Sequence, residues 1–206
     1  MTKAYIGALF ISLLVSPATA LERLPSIPPA QFNDEQKKAA EEFFAARKAQ
    51  PSGLPWTVLM HSPEVMNRAR AMGDYLRFGS SIGMKLSEFV IMITAREWSS
   101  DYIWGGHYPI ALREGVAEKI VAAISEGRHP SNMSDDEEMT YDFSTELHKN
   151  KRVSDETYNR VEKRFGKKGA VDMTAINAYY TLLAMEINMS RAEPPANNKK
   201  LGRFPD

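Results

Sequence analysis

Apolar residues recur at spacings of three and four along most of this chain, which is the periodicity of amphipathic α-helices. The spacing is clearest in a segment whose predicted helical face carries Leu86, Phe89, Val90, Ile93 and Glu97. The segment 170–188 is apolar around much of its circumference, as is usual for a buried helix. No run alternates apolar and polar residues between turn signals. The pattern therefore predicts an all-α protein of about eight helices with short connections.

Capping residues and glycines indicate where several of these helices begin and end. The predicted starts carry the cap signatures Ser62-Pro63-Glu64, Ser134 with Glu137, and Ser154. A serine side chain in this position accepts a hydrogen bond from a free N–H of the first helical turn. Gly166 is predicted to end one helix before the last one begins, because glycine readily adopts the left-handed conformation of a helix end.

The central helix has its own predicted boundaries. Ser87 is the expected N-cap, directly before Glu88, and Gly105-Gly106 predicts a break after the helix. Under this interpretation Glu88 opens one helix and His107 opens the next. A fold-back at the two glycines would then bring His107 over the first helix, because residues without a β-carbon accept a tight turn at little cost.

The N-terminal segment 1–20 has the three parts of a secretory signal. Lys3 supplies the positive start, an apolar run extends from Ala4 to Val15, and Ala18-Thr19-Ala20 is a cleavage site of the A-x-A kind. The run is too short to span a bilayer as a helix. The predicted mature protein is therefore cut after Ala20, is periplasmic or secreted, and has no membrane attachment. The remaining chain divides into a leader and helix (21–53), a helical domain (54–190) and a tail (191–206).

Composition removes several classes of function. The 206 residues include 26 basic and 26 acidic side chains, so the balance does not favour nucleic acid as a partner. The chain has no cysteine, which excludes thiol and disulfide chemistry. Its four histidines are scattered without a H-E-x-x-H motif, and neither a phosphate-binding loop nor a G-x-S-x-G motif occurs. We therefore predict no metal site and no cofactor.

Acid–base chemistry is the remaining option, and its candidates are Glu88, Glu97 and His107. A carboxylate beside an imidazole can be tuned towards proton transfer near neutral pH. Two interpretations of His107 stay open, a structural histidine bonded to backbone and a proton-transferring group. Glu97 likewise either forms an ion pair with Arg96 or Arg113, or lines a pocket.

The central segment also resembles a known family. The pattern E-(x)6-A-R-(x)5-Y-x-W-x-x-H-(x)3-A-(x)3-G extends from Glu88 to Gly115. It is similar to the carboxymuconolactone decarboxylase family, which includes the alkylhydroperoxidase D proteins, and the likeness covers about 54–188. The resemblance implies an alkylhydroperoxidase D-like helical bundle that assembles into trimers or hexamers.

Two positions depart from the family pattern. Peroxidase members carry a Cys-x-x-Cys pair where this chain has Ser100 and Ile103. Many other members, including decarboxylases, have a glutamate at the second of these positions. The resemblance thus implies Glu88 and His107 as catalytic residues, without the usual partner on the preceding turn. The candidate substrate-binding residues are Glu97, Ser100, Tyr102 and Trp104.

Two hypotheses of function follow. The first is a cofactor-independent lyase or isomerase acting on a small carboxylated lactone or related acid through Glu88 and His107. The second is a scaffold of the same fold that binds a small ligand without catalysis, since Ile103 replaces the usual partner. In both, the partners are a small molecule and further copies of the chain.

Overall fold

The structure, a computed structural model, describes residues 22–201 and is all-helical over that range, as predicted. The predicted signal peptide and residues 202–206 lie outside the described residues. A 3-10 turn, Pro29–Gln31, precedes eight helices. These are α1 (Asp34–Arg47), α2 (Trp56–Leu59), α3 (Pro63–Phe78), α4 (Met84–Glu97), α5 (Asp101–Arg113), α6 (Glu118–Ser125), α7 (Asp135–Asn150) and α8 (Asp155–Ser190). None of the helices in this range is both long and apolar enough to cross a membrane.

Helix α4 lies at the centre of the molecule. Every residue from Leu86 to Arg96 is buried, so the helix has no solvent face over this stretch. It packs against α5, α7 and α8, while α3 and α6 make smaller contacts with it. The side chains of Phe89, Val90 and Met92 are fully excluded from solvent. Any polar side chain between Leu86 and Arg96 is therefore surrounded by protein, and its partners must come largely from neighbouring helices.

The start of α4 differs from the prediction. The helix begins at Met84, after Gly83 with φ of 81°, and Ser87 lies buried inside it. The prediction of Ser87 as N-cap is wrong, because the left-handed glycine turns the chain into the helix about one turn earlier. The cap at Ser134 has the predicted form, since Ser134 and Glu137 exchange hydrogen bonds at the start of α7.

The predicted break at Gly105-Gly106 is also wrong, and so is the placement of His107 at a helix start. Both glycines lie inside α5, and the chain turns at 98–100, where Ser99 has φ of 45°. Pro109 follows in the same helix and has no N–H to donate to the Gly105 carbonyl. Two glycines permit a break but do not require one, and here the helix continues through them.

Gly105 allows the C-terminal segment to pack on α5. A β-carbon at this position would lie 2.8 Å from Cγ of Asn198. Leu201 is buried, and its backbone N–H donates to Asp101 Oδ1 at 2.7 Å. Residues 198–201 therefore lie against the helix that carries His107.

Helix α8 changes direction at Gly166, where φ is 70° and ψ is 177°. This is the position at which the sequence predicts a helix end. The part that follows, up to Ser190, contributes Met173, Ile176, Tyr180 and Leu183 to the core. The kink thus lets α8 pack against both α7 and α4.

A close approach between α3 and α8 gives a first prediction. A β-carbon on Gly73 would lie 2.3 Å from the hydroxyl oxygen of Tyr179, which is buried. Gly73→Ala should lower the free energy of unfolding by about 1–3 kcal/mol, as overpacking does. Gly106→Ala is the matched control, because nothing lies within 4 Å of its added β-carbon. It should raise the stability by about 0.5–1 kcal/mol. Chemical denaturation of the two variants checks this, and equal effects would contradict it.

Glu186 gives a second prediction, on pH. This half-buried residue of α8 has a buried Oε2 with no hydrogen-bond partner among the described residues, and burial raises its pKa to about 7. The folded state holds the proton more tightly than the unfolded chain, whose glutamate pKa is about 4.5. The resulting stability is present below about pH 4.5 and is lost as the pH rises to about 7. Glu186→Gln should therefore raise the melting temperature relative to wild type at pH 8 but little at pH 4. A difference that does not change with pH would contradict the assignment.

Candidate functional site

Glu88 and His107 are in direct contact. Glu88 lies in the second turn of α4 and is 0% exposed, while His107 lies in the middle of α5. The imidazole Nδ1 is 2.6 Å from Glu88 Oε2. The turn at 98–100 positions the two helices for this contact, since α5 packs along α4. The structure thus brings the two candidate catalytic residues together, and their catalytic roles remain predictions.

The hydrogen bond fixes the roles of the two imidazole nitrogens. A carboxylate only accepts hydrogen bonds, so Nδ1–H of His107 donates to Glu88. In the neutral imidazole the lone pair is then on Nε2, which has no hydrogen-bond partner among the described residues. The ring is 15% exposed at its side chain, so a small molecule can reach it.

The second oxygen of Glu88 is held differently. Oε1 is buried and makes no hydrogen bond within the described range. Its nearest cation is Arg77, whose Nη2 is 3.8 Å away, which is an ion pair but longer than a hydrogen bond. Nε of Arg77 is likewise buried without a hydrogen-bond partner there. A buried polar atom left unpaired costs about 1–3 kcal/mol, so this arrangement is expensive unless a ligand uses it.

A cavity of about 250 Å³ adjoins the histidine. Its aromatic walls are Trp56, Tyr102, Tyr179 and Tyr180, and its aliphatic walls include Ile103, Ile110, Leu183 and Ile187. Arg47 and Arg77 are the two cations in its lining. A concave, largely apolar space with a few polar groups is typical of a small-molecule site.

Two tyrosines in edge-to-face contact pack beside the imidazole ring of His107. Tyr180 lies edge-on to His107 with ring centroids 5.1 Å apart, and Tyr179 lies edge-on to Tyr180 at 5.2 Å. Burial raises the pKa of Tyr179 to about 12 and that of Tyr180 further still. Both side chains are therefore neutral phenols near pH 7 and can donate a hydrogen bond.

The two arginines that line the cavity differ in how their charges are paired. Arg47 donates from Nε and Nη2 to Asp74 Oδ1, at 2.9 and 2.7 Å, and its guanidinium lies 4.5 Å from the Trp56 ring centroid. Its charge is thus partly matched by Asp74, which also pairs with Arg70 at 3.0 Å. Arg77 lies 5.1 Å from the Phe78 ring centroid, and its carboxylate partner Glu88 is 3.8 Å away, so Arg77 is the cation of this lining that is better able to bind an anionic ligand.

The structure distributes the predicted substrate-binding residues over different places. Tyr102 lines the cavity, and its hydroxyl donates to the Leu54 carbonyl. Trp104 is buried beside Tyr108 and does not line the cavity. Ser100 is buried at the N-cap of α5 and lines a separate cavity of about 530 Å³ near the end of α8.

Glu97 does not lie on the apolar face of α4. It is exposed at the last position of the helix, so the prediction of a carboxylate on the buried face is wrong there. The helix is buried all round up to Arg96, and the periodicity that placed Glu97 among apolar residues therefore could not distinguish a face.

Sequence reasoning missed Arg77 and Tyr180. Arg77 lies in the last turn of α3, where a basic residue is common because the helix dipole favours it, so it gives no signal of its own. Tyr180 lies in the segment 170–188, whose apolar residues predict burial alone. The adjacent tyrosines in a buried helix were the available signal, because a buried phenol needs a polar neighbour.

Comparison with known proteins shows the fold. No family model matches the sequence, and no curated protein matches it. The structure is similar to the alkylhydroperoxidase AhpD core of an uncharacterized peroxidase-related protein from Ralstonia eutropha JMP134, with a TM-score of 0.66 and 18% identity over 87% of this chain and 95% of the other. It is also similar to a cysteine-to-alanine variant of the debrominase Bmp8 in complex with 2,3,4-tribromopyrrole, with a TM-score of 0.62 and 14% identity over 84% and 91% of the two chains.

A third solved structure agrees with these two. It is a protein of unknown function from Agrobacterium tumefaciens, proposed to be the antioxidant defence protein AhpD, with a TM-score of 0.55 and 16% identity over 68% of this chain and 96% of the other. At such identities the likeness shows the fold alone. The chain thus has the AhpD-like fold, and the finer resemblance to the decarboxylases stays a prediction.

The contact between Glu88 and His107 predicts an unusual ring tautomer. Free neutral histidine in water favours the proton on Nε2, whereas donation to Glu88 places it on Nδ1. Nitrogen NMR of the imidazole at mildly alkaline pH should therefore report Nδ1–H in the wild type. Glu88→Leu should shift the ring towards Nε2–H.

His61 is the internal control, because it is an exposed histidine outside the cavity. Its ring tautomer should be the same in the wild type and in Glu88→Leu. An Nε2–H tautomer of His107 in the wild type would contradict the assignment.

Proposed function

We propose that this protein is a cofactor-independent lyase or isomerase that acts on a small carboxylated lactone or a related acid. The observation that carries the proposal is the hydrogen bond between buried Glu88 and His107 at the wall of a ligand-sized cavity. His107 would transfer the proton, and Glu88 would orient and polarise the imidazole.

Proton transfer follows from the state of the ring. With Nδ1–H donating to Glu88, the Nε2 lone pair can remove a proton from a carbon next to a carbonyl and return it to a neighbouring carbon. The imidazolium formed in between is stabilised by the buried carboxylate at 2.6 Å. In a decarboxylation the carbon–carbon bond to the carboxylate would break with release of carbon dioxide, and its electron pair would pass into the conjugated carbonyl group of the substrate. His107, having first taken a proton from solvent water at Nε2, would then donate that proton to the carbon that carried the carboxylate.

Arg77 supports an anionic substrate. Its guanidinium lines the cavity and lacks a short contact with a carboxylate. A substrate carboxylate there would pair with Arg77 while the ring of the substrate lies among Trp56, Tyr102 and Tyr180. The binding would be charge-assisted in a site that is largely screened from water.

Position 103 separates this chemistry from that of thiol enzymes. Ile103 lies in the cavity lining one helical turn before His107. The side chain has no nucleophilic atom, and the whole chain contains no cysteine. His107 would therefore act on the substrate itself, and dithiol-dependent peroxide reduction is not expected.

A second candidate function is binding without catalysis. The observation that favours it is the same apolar Ile103, which leaves the imidazole with no second reactive side chain on the preceding turn. In that case the cavity would select a small acid, and Glu88 with His107 would supply only hydrogen bonds.

We also propose that the chain is exported and forms a homo-oligomer. Large apolar side chains are exposed on α3 (Met72, Tyr75, Phe78) and on α8 (Leu182, Met185, Met189). Exposed apolar groups on neighbouring helices support association between copies. Export rests on the signal pattern of 1–20 alone.

Three variants test the catalytic proposal against a panel of small lactones and carboxylic acids. His107→Ala should reduce turnover by about 100-fold or more, because a general acid–base contributes that much. Glu88→Gln should reduce it as well, because the amide cannot stabilise the imidazolium by charge. Arg77→Met should weaken the binding of carboxylic acids but not the binding of the corresponding neutral amides. Ligand-induced melting shifts and turnover are the measurements.

His61→Ala is the matched control and should leave both measurements unchanged, since His61 lies outside the cavity. If a ligand binds without turnover and Arg77→Met abolishes binding, the protein is a scaffold. A His107→Ala protein that binds and turns over its ligand normally, and merely melts earlier, would contradict the catalytic proposal.

A further inference from the structure

A histidine and two carboxylates meet at the start of α7, outside the cavity of Glu88 and His107. His129 comes from the loop before the helix, and Glu138 and Asp142 lie one turn apart on α7. One ligand atom from each residue lies within 4.8 Å of the other two. None of the three lines the cavity.

In its neutral form, His129 would place a nitrogen without a proton against a carboxylate oxygen of Glu138. Its Nδ1 is 2.8 Å from the Pro130 carbonyl oxygen, which only accepts, so Nδ1 carries a proton. In the neutral imidazole Nε2 then has a lone pair, and it faces Glu138 Oε1 at 3.2 Å. Two acceptors at this distance repel each other unless a cation lies between or beside them. That cation is either a second proton on the ring or a metal ion.

Neighbouring groups hold two of the three side chains in place. The backbone carbonyl that orients Nδ1–H is the usual partner of a metal-binding histidine, because it presents Nε2 to the metal. The Tyr141 ring packs edge-on against the imidazole, with centroids 4.8 Å apart. Arg160 donates to Asp142 Oδ2 at 2.7 Å, which holds this carboxylate and leaves Oδ1 for another ligand.

We propose that His129, Glu138 and Asp142 bind one divalent transition-metal ion of the Zn²⁺ type. One imidazole nitrogen with two carboxylate oxygens suits Zn²⁺, whereas Mg²⁺ and Ca²⁺ prefer oxygen alone. Ligand atoms of tetrahedral Zn²⁺ lie roughly 3.3 Å apart, as its bond lengths require. His129 Nε2 and Glu138 Oε1 already have this spacing, at 3.2 Å. The remaining separation from Asp142, at most 4.8 Å, can close by rotation of the His129 and Glu138 side chains, which are 55% and 39% exposed. Three protein ligands leave at least one coordination position for water or a small anion.

The local charge is compatible with such an ion. Two carboxylates and the Arg160 guanidinium sum to one negative charge when the imidazole is neutral. A divalent cation reverses this to one positive charge, which a bound hydroxide or substrate anion can balance. The site is independent of the proposed lyase function, because it shares no residue with the cavity.

Zn²⁺ titration of the tag-free protein by isothermal calorimetry tests the proposal. We expect one saturable site per chain, with much weaker responses to Mg²⁺ and Ca²⁺. His129→Ala and Glu138→Gln should each weaken Zn²⁺ binding by at least about tenfold. Circular dichroism and thermal melting of each variant check that the fold is kept. If one of the two variants does not fold, the other still tests the proposal.

His61→Ala is the matched control, since it removes another exposed histidine whose ring nitrogen meets a proline carbonyl. It should leave the affinity unchanged, and so should His107→Ala, which separates this site from the cavity. Absence of Zn²⁺ binding, or equal affinity in wild type and His129→Ala, would overturn the proposal. The contact of His129 with Glu138 would then be an imidazolium–carboxylate ion pair.

Discussion

The structure depends on a carboxylate placed where water cannot reach it. Glu88 is 0% exposed in α4, the helix against which α5, α7 and α8 pack. Such a charge needs compensation from neighbouring helices, and it receives a hydrogen bond from His107 of α5 and an ion pair from Arg77 of α3. Removing either partner would leave this buried carboxylate with only one compensating group. Three helices are thereby connected through one side chain, and the cavity lies beside this connection.

The compensation is incomplete, and this is informative about function. One Glu88 oxygen and the Nε of Arg77 are buried without hydrogen bonds among the described residues. Buried polar atoms are nearly always paired in folded proteins, and Arg77 lines the cavity, so a ligand there could complete the hydrogen bonding of its guanidinium. The tyrosine pair keeps the imidazole in place but does not satisfy these atoms. Rigid walls and unsatisfied polar groups together are the features expected of a small-molecule site.

The fold itself leaves the chemistry open. Solved structures with this fold include a peroxidase-related protein and a debrominase, so likeness of fold does not select one reaction. Single side chains have to make the distinction, and the resemblance points to Ile103, on the turn before His107, as one of them. The metal site proposed at His129, Glu138 and Asp142 would be a second example, at the surface.

The sequence by itself determined the helical class and the cap at Ser134, because periodicity and capping are local properties. It also singled out Glu88 and His107 as candidates, and their catalytic roles stay predictions. It misplaced the break at Gly105-Gly106, since glycine permits a turn without enforcing it, and packing kept α5 continuous. It could not find Arg77 or Tyr180, which are distant in sequence from His107 and join the same cavity only after α3 and α8 pack on α4. Only the tertiary structure decided which polar groups are buried together. Burial and pairing depend on contacts between helices, and no local pattern encodes them.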